Sequence, residues 1–138
     1  MKNKNGFTLI ELMVVITIIA VITAVGIVSY SASSLKSRDG RRMADIEKIR
    51  LALELYKQDK GVYPPATADN KANIPATYLQ VWPSDPKPAS YFYIYSVGGS
   101  YTYTLGAYME NLGSTNSPVF GNCGVLGTDR CNYKTNNP

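Results

Sequence analysis

From Leu12 to Val28 the chain runs for 17 residues without a charge, with Thr17 and Thr23 as its only hydroxyls. Extended back to Phe7 the apolar segment has 22 residues and one interruption, Glu11. As a helix rising ~1.5 Å per residue it spans roughly 33 Å, enough to cross a bilayer. Lys2 and Lys4 precede it, so the positive-inside rule keeps the N-terminus cytoplasmic and sends the C-terminus outward. An ordinary secretory signal does not fit, because its apolar core is roughly 7–15 residues and holds no carboxylate. A simple membrane anchor leaves Glu11 unexplained. A carboxylate in hydrocarbon costs at least ~2.5 kcal/mol, and the segment contains no basic residue to pair with it.

The run Gly6-Phe7-Thr8-Leu9-Ile10-Glu11-Leu12-Met13-Val14-Val15-Ile16 resembles the class III signal of type IV pilins and type II secretion pseudopilins. The resemblance implies cleavage between Gly6 and Phe7 by prepilin peptidase and N-methylation of Phe7. It also implies an assembly role for Glu11, the fifth residue of the processed chain. Physical chemistry agrees. Cleavage creates an α-amino cation at Phe7, which in a staggered stack approaches Glu11 of a neighbouring subunit. Opposite charges attract strongly in a low-dielectric core, but desolvation offsets much of the gain, so the pair sets register more than stability.

Beyond Ser29–Ser34 the helical pattern resumes. Met43, Ile46, Ile49, Leu53 and Tyr56 recur at three- and four-residue steps, and Leu51 and Leu55 widen this stripe. Asp39, Arg41, Arg42, Asp45, Glu47, Lys48, Arg50 and Glu54 fall on other faces, with Glu54 in reach of Lys57 or Gln58. The basic run Arg38–Arg42, with Lys36, reads as a solvated face or a headgroup contact rather than a nucleic-acid patch. Gly61 is a natural C-cap, and Pro64 and Pro65 cannot continue the helix. One helix from Phe7 to Asp59 is expected, roughly 80 Å long. Many pilins carry Pro where this chain has Val28, so the helix is expected to continue unbroken through that residue.

Thr67–Pro88 reads as a loop. Within it Trp82-Pro83-Ser84-Asp85-Pro86 resembles the Pro-x-Asp-Pro element of pseudopilins, and Gly61-Val62-Tyr63-Pro64 resembles the end of their helix. Tyr91–Val97 and Tyr101–Met109 are expected as a hairpin around a tight Gly98-Gly99 turn, followed by the acidic-Asn pair Glu110-Asn111 that often ends this strand in the family. The tail from Tyr133 to Pro138 is expected to fray. The expected fold is α+β: a leader, 1–6; a transmembrane and filament-core helix, 7–30; an amphipathic outer half, 31–60; and a globular domain, 61–138, whose small antiparallel sheet packs on that outer half.

Composition narrows the function. There is no His, which removes the commonest general base and metal ligand. No nucleophile–base pair or phosphate-cradling loop is present, so the chain is read as a non-enzyme without cofactor. Gly127-Thr128-Asp129 only faintly resembles the acidic calcium loop of some major pseudopilins, and no metal is assigned. Cys123 and Cys131 lack CxxC spacing; in an exported chain the pair reads as a disulfide over two free thiols, like the bridged loop of many pilins. Removing Lys2 and Lys4 from 14 basic residues leaves 12 against 10 acidic ones, too mild an excess to favour nucleic acid.

The resemblance puts a type IV pilus subunit first, a type II secretion pseudopilin second and a DNA-uptake pilin third. It implies as partners other copies of the chain in a helical filament, prepilin peptidase/methyltransferase, an inner-membrane platform with its motor, and lipid before assembly. The expected location is the cytoplasmic membrane, single-pass with the C-terminus outside, and then a surface or periplasmic filament.

Overall fold

The structure, a computed structural model, describes residues 6–116, 120–125, 127 and 129–136; the side chains of Val28, Ser29, Leu112 and Phe120 fall outside that description. Lys2, Lys4, Thr128, Asn137 and Pro138 also lie outside the described residues. The chain divides into two units, 1–34 and 35–138.

Helix α1 spans Leu9–Lys60 without interruption, so it continues through Val28 as the absence of Pro requires. It is long and apolar enough to cross a bilayer, and none of its most apolar stretch is buried in the protein. It ends where the sequence stops it. Gly61 adopts φ +78°, and its N–H donates to Lys57 C=O at 2.7 Å, closing the last turn.

In the second unit, β1 (Ile94–Val97), β2 (Tyr103–Ala107) and β5 (Tyr133–Asn136) form an antiparallel sheet in the order β1-β2-β5. A separate ribbon pairs β3 (Phe120–Asn122) with β4 (Arg130–Cys131). The outer half of α1 covers one face of the sheet. Ile46, Ile49 and Leu53 pack with Tyr93, Tyr95, Tyr103, Leu105, Ala107 and Met109 in one core. This is the layer pairing expected of a half-apolar helix and an alternating strand. Ile94 points the other way, into a smaller cluster with Cys123 and Cys131.

Four features differ from the sequence reading. The first strand is shorter than expected: Tyr91 makes only an isolated bridge to Gly124, and Phe92 N–H donates to Cys123 C=O. The turn is wider than Gly98-Gly99, since Gly98 N–H donates to Thr102 C=O and leaves Gly99, Ser100 and Tyr101 as the loop. Residues 133–136 are not frayed. They pair with β2 in the register Ala107↔Tyr133 to Thr104↔Asn136. The outer edge of β5 is occupied by Asn116, whose side-chain amide donates to Lys134 C=O and accepts Lys134 N–H. Finally, Leu51 and Leu55 do not widen the core stripe; they are 52% and 53% exposed.

Candidate functional site

The residues singled out for processing and assembly lie together in the first unit. Gly6, Phe7 and Thr8 precede the helix in non-helical backbone, and Phe7 is 90% exposed. Thr8 is the N-cap of α1 and Glu11 its third helical residue. Thr8 Oγ1 accepts the Glu11 N–H at 3.3 Å. The Glu11 carboxylate accepts the Thr8 N–H at 2.9 Å and the Thr8 hydroxyl at 2.8 Å. This reciprocal pairing is a capping box, and it satisfies donors that a helix start otherwise leaves orphaned. Glu11 therefore has a neutral local partner within its own chain, although no basic residue stands there to pair with it. The Thr-x-x-Glu spacing carried the signal. The Thr17 and Thr23 hydroxyls are likewise satisfied locally, donating to Val14 C=O and Ile19 C=O.

The cysteines pair. Cys123 and Cys131 form a disulfide with Cα atoms 5.1 Å apart, and both are fully buried. The bridge closes the β3–β4 ribbon and packs on Ile94 beneath the sheet.

A third constellation was not read from sequence. Asp39, Arg42 and Asp45, placed above on faces other than the apolar stripe, are buried. Arg42 is fully enclosed and donates through Nε and Nη2 to the two oxygens of Asp85, at 2.7 and 2.9 Å. Its Nη1 lies 2.8 Å from both Asp39 and Glu110. Glu110 also accepts from Arg38 Nε and Nη2, each at 2.8 Å, and from Lys87 Nζ at 2.6 Å. Asp39 in turn accepts the backbone N–H groups of Glu110 and Asn111. Three cations thus meet three carboxylates, and Tyr91 lies over the Arg42 guanidinium at 5.4 Å. Hydrogen bonds from Arg38, Lys87 and Arg42 hold the Glu110 carboxyl well below the usual carboxylate range. The cluster ties the helix to the Pro-x-Asp-Pro loop through Asp85 and to the end of β2 through Glu110. Among the described residues no group of His, Cys, Asp or Glu is arranged to hold a metal ion.

A second polar seam runs along the core. Tyr93 hydroxyl donates to Asp45 at 3.0 Å, and Tyr95 hydroxyl to Pro64 C=O at 2.6 Å. Glu54 turns toward the sheet instead of along the helix, accepting the hydroxyls of Tyr63 and Tyr103, while Lys57 meets the same Tyr63 hydroxyl. Burial pushes the Tyr95 phenol up to about 12. The tyrosines thus serve the core with their rings and anchor the helix with their hydroxyls.

The family model described as the prokaryotic N-terminal methylation motif matches residues 1–27. The chain is 27% identical over 140 residues to a type II secretion system core protein G of Vibrio cholerae, covering 91% of this chain and 95% of that protein. A core protein G of Pseudomonas aeruginosa is 29% identical over 136 residues, covering 88% and 96%. A probable minor fimbrial protein of Dichelobacter nodosus is 39% identical over 59 residues, 43% of this chain and 37% of that protein. No solved structure matches the chain at a significant level. The chain is a pilin-like structural subunit and not an enzyme. With its N-terminal motif, its long exposed apolar helix and its helix-on-sheet domain, it is similar to the type IV pilins and type II secretion pseudopilins.

Proposed function

We propose that this chain is a pseudopilin of a type II secretion assembly. Residues 1–6 are removed by prepilin peptidase, and Phe7 is methylated. Residues 7–30 hold the precursor in the cytoplasmic membrane, with residues 31–60 and 61–138 outside. An inner-membrane platform and its motor then draw the subunit into a helical filament of copies. The observation that carries the choice of pseudopilin over pilus is the likeness to the two core G proteins along 95% and 96% of their length. The N-terminal motif alone serves both classes equally. The Pro-x-Asp-Pro element at Pro83–Pro86, which resembles that of pseudopilins, supports the same reading. Glu11 acts in assembly: once Phe7 carries a free amino group, a cation stands one residue before the capping box, within the reach of a staggered neighbour.

A pilus subunit is the second reading, favoured by the stretch shared with the probable minor fimbrial protein. Deleting the gene separates the two. A pseudopilin's loss leaves secreted proteins trapped behind the outer barrier, and the native chain stays with the cell after shearing. Recovery of the chain in sheared surface fibres, with secretion intact in the deletion strain, would overturn the pseudopilin reading.

A further inference from the structure

We propose that the face of the β1-β2-β5 sheet turned away from α1 is a binding site for an acidic saccharide, with Lys134 as the group that meets its anion. The site lies wholly within the second unit. It is the same whichever filament the chain joins.

Strand alternation sends Tyr95, Tyr103, Leu105 and Tyr133 into the core with the helix, and the residues between them to the opposite face. There Ser96, Thr104 and Asn136 stand side by side, one from each strand, because Ser96 pairs with Thr104 and Thr104 with Asn136. At about 4.8 Å between strands the row is roughly 10 Å wide, enough to lie along a disaccharide. Lys134 precedes Asn136 by two residues and Thr102 precedes Thr104 by two, which keeps both on this face. Together with Gly98 these side chains line a concavity of about 400 Å³, within the usual range of small-molecule sites.

The groups are held in place. Thr104 Oγ1 donates to Asn136 Oδ1 at 3.1 Å, so the Asn136 amide presents its NH2 donors beyond that bond. The Asn116 amide bonds both backbone groups of Lys134, at 2.9 and 2.8 Å, and fixes the strand that carries the cation. A Cβ on Gly98 would come within 2.8 Å of Thr102 Oγ1, so glycine leaves that hydroxyl its place at the end of the concavity.

The chemistry selects the ligand. The solvated face of an antiparallel sheet is also polar, but a solvated surface intersperses charges of both signs. Among the described residues that line this concavity there are three aliphatic hydroxyls, an amide and an ammonium, and no carboxylate. Tyr103 lines it as well, but its own hydroxyl is turned into the core to Glu54. Hydroxyls and amides both donate and accept, as sugar hydroxyls do. Lys134 adds one positive charge for a carboxylate or phosphate carried on the ring. A protein partner fits less well, because Lys and Ser are depleted and aromatic side chains enriched where proteins meet. A nucleic acid also fits less well, because its affinity comes from neutralising several phosphates, and the lining offers one cation.

The test titrates the full chain, in a detergent without sugar groups, and follows the backbone amides by NMR. The probes are a tetrasaccharide of alternating glucuronic acid and N-acetylglucosamine, glucose 6-phosphate, a neutral N-acetylglucosamine tetrasaccharide, and inorganic phosphate. At least one acidic sugar should shift the amides of residues 96, 102, 104, 134 and 136, with Kd of about 1 mM or tighter. Whether the glucuronate or the sugar phosphate binds more tightly assigns the acid as carboxylate or phosphate. The neutral tetrasaccharide and inorganic phosphate should each bind at least about tenfold more weakly. Lys134→Gln should weaken the acidic sugar by about tenfold, and Lys134→Arg should restore most of it. Asn136→Ala, at an exposed position, should also weaken binding while amide shifts elsewhere in the domain stay those of the wild type; if Lys134→Gln disturbs the fold, this variant decides. Inorganic phosphate binding as tightly as the acidic sugars would reduce the site to a chance ion contact and overturn the proposal. So would a neutral saccharide that matches the acidic ones, full binding by Lys134→Gln or Asn136→Ala, shifts confined to Arg41 and Lys48, or no shift with any sugar at about 10 mM.

Discussion

Replacing Arg42 with alanine removes the cation at the centre of the charge cluster while leaving its carboxylates in place. The Arg42 side chain is 0% exposed, and those of Asp39 and Asp85 are 1% exposed. After the change Glu110 keeps Arg38 and Lys87, and Asp39 keeps two backbone N–H groups. Among the described residues, Asp85 keeps only the Lys87 N–H. Deleting one partner of a buried ion pair costs about 3–5 kcal/mol, because a charge is left uncompensated. That is a large share of the roughly 5–15 kcal/mol that holds a domain together. In a domain of this size each kcal/mol moves Tm by about 4–8 °C, so the midpoint should drop by at least about 12 °C. Near-ultraviolet circular dichroism of the 11 tyrosines, recorded on the full chain in detergent, reads the transition. The double variant Arg42→Met/Asp85→Leu should lose less than Arg42→Ala alone, since it also removes the carboxylate that the single change leaves with fewest partners. A drop below about 4 °C for Arg42→Ala, or a double variant worse than the single, would refute the reasoning.

Glu110 gives a pH dependence. Its carboxyl is held below the ordinary Glu value of about 4.3, so its contribution is complete above that pH and is lost as pH falls below it toward the lowered folded value. The gap in Tm between wild type and Glu110→Gln should narrow on acidification below about pH 4, and a constant gap down to pH 2 would rule this out. The buried disulfide should block thiol labelling until the chain is unfolded and reduced, and Cys123→Ser/Cys131→Ser should cost about 2–3 kcal/mol for so short a loop. Rapid labelling without reductant would contradict the bridge. At Glu11 two substitutions separate charge from capping: Gln keeps the capping-box acceptor, whereas Ala removes it. Assembly should fail with both Glu11→Gln and Glu11→Ala, and wild-type assembly of Glu11→Gln would show that the cap, not the charge, is what matters.

The helix and its stop were legible because local rules fix them. An uninterrupted apolar run, no Pro and a Gly at the left-handed C-cap leave little choice. The hairpin was legible from alternation, though not its ends, because the start of the first strand turns aside to meet Cys123 and Gly124. The charge cluster was hidden for a physical reason. Arg42 and Asp39 have the spacing of a solvated helix pair, and what buries them lies far along the chain: Asp85 is 43 positions from Arg42, and Asn111 is 72 from Asp39. Polar strands are equally silent. The sequence Tyr-Lys-Thr-Asn of β5 has no apolar face to announce it, and backbone pairing with β2 and the Asn116 amide hold it. Leu51 and Leu55 were assigned to the core stripe, but helical spacing carries both to the exposed side.

The filament-subunit account depends first on where the mature chain begins. Intact mass of the protein purified from its native host measures this directly. The account predicts a chain starting at Phe7, heavier by one methyl group, with Cys123 and Cys131 oxidised. A mature N-terminus beyond Tyr30 would mean that the apolar helix is discarded as an ordinary signal, and it would contradict the account.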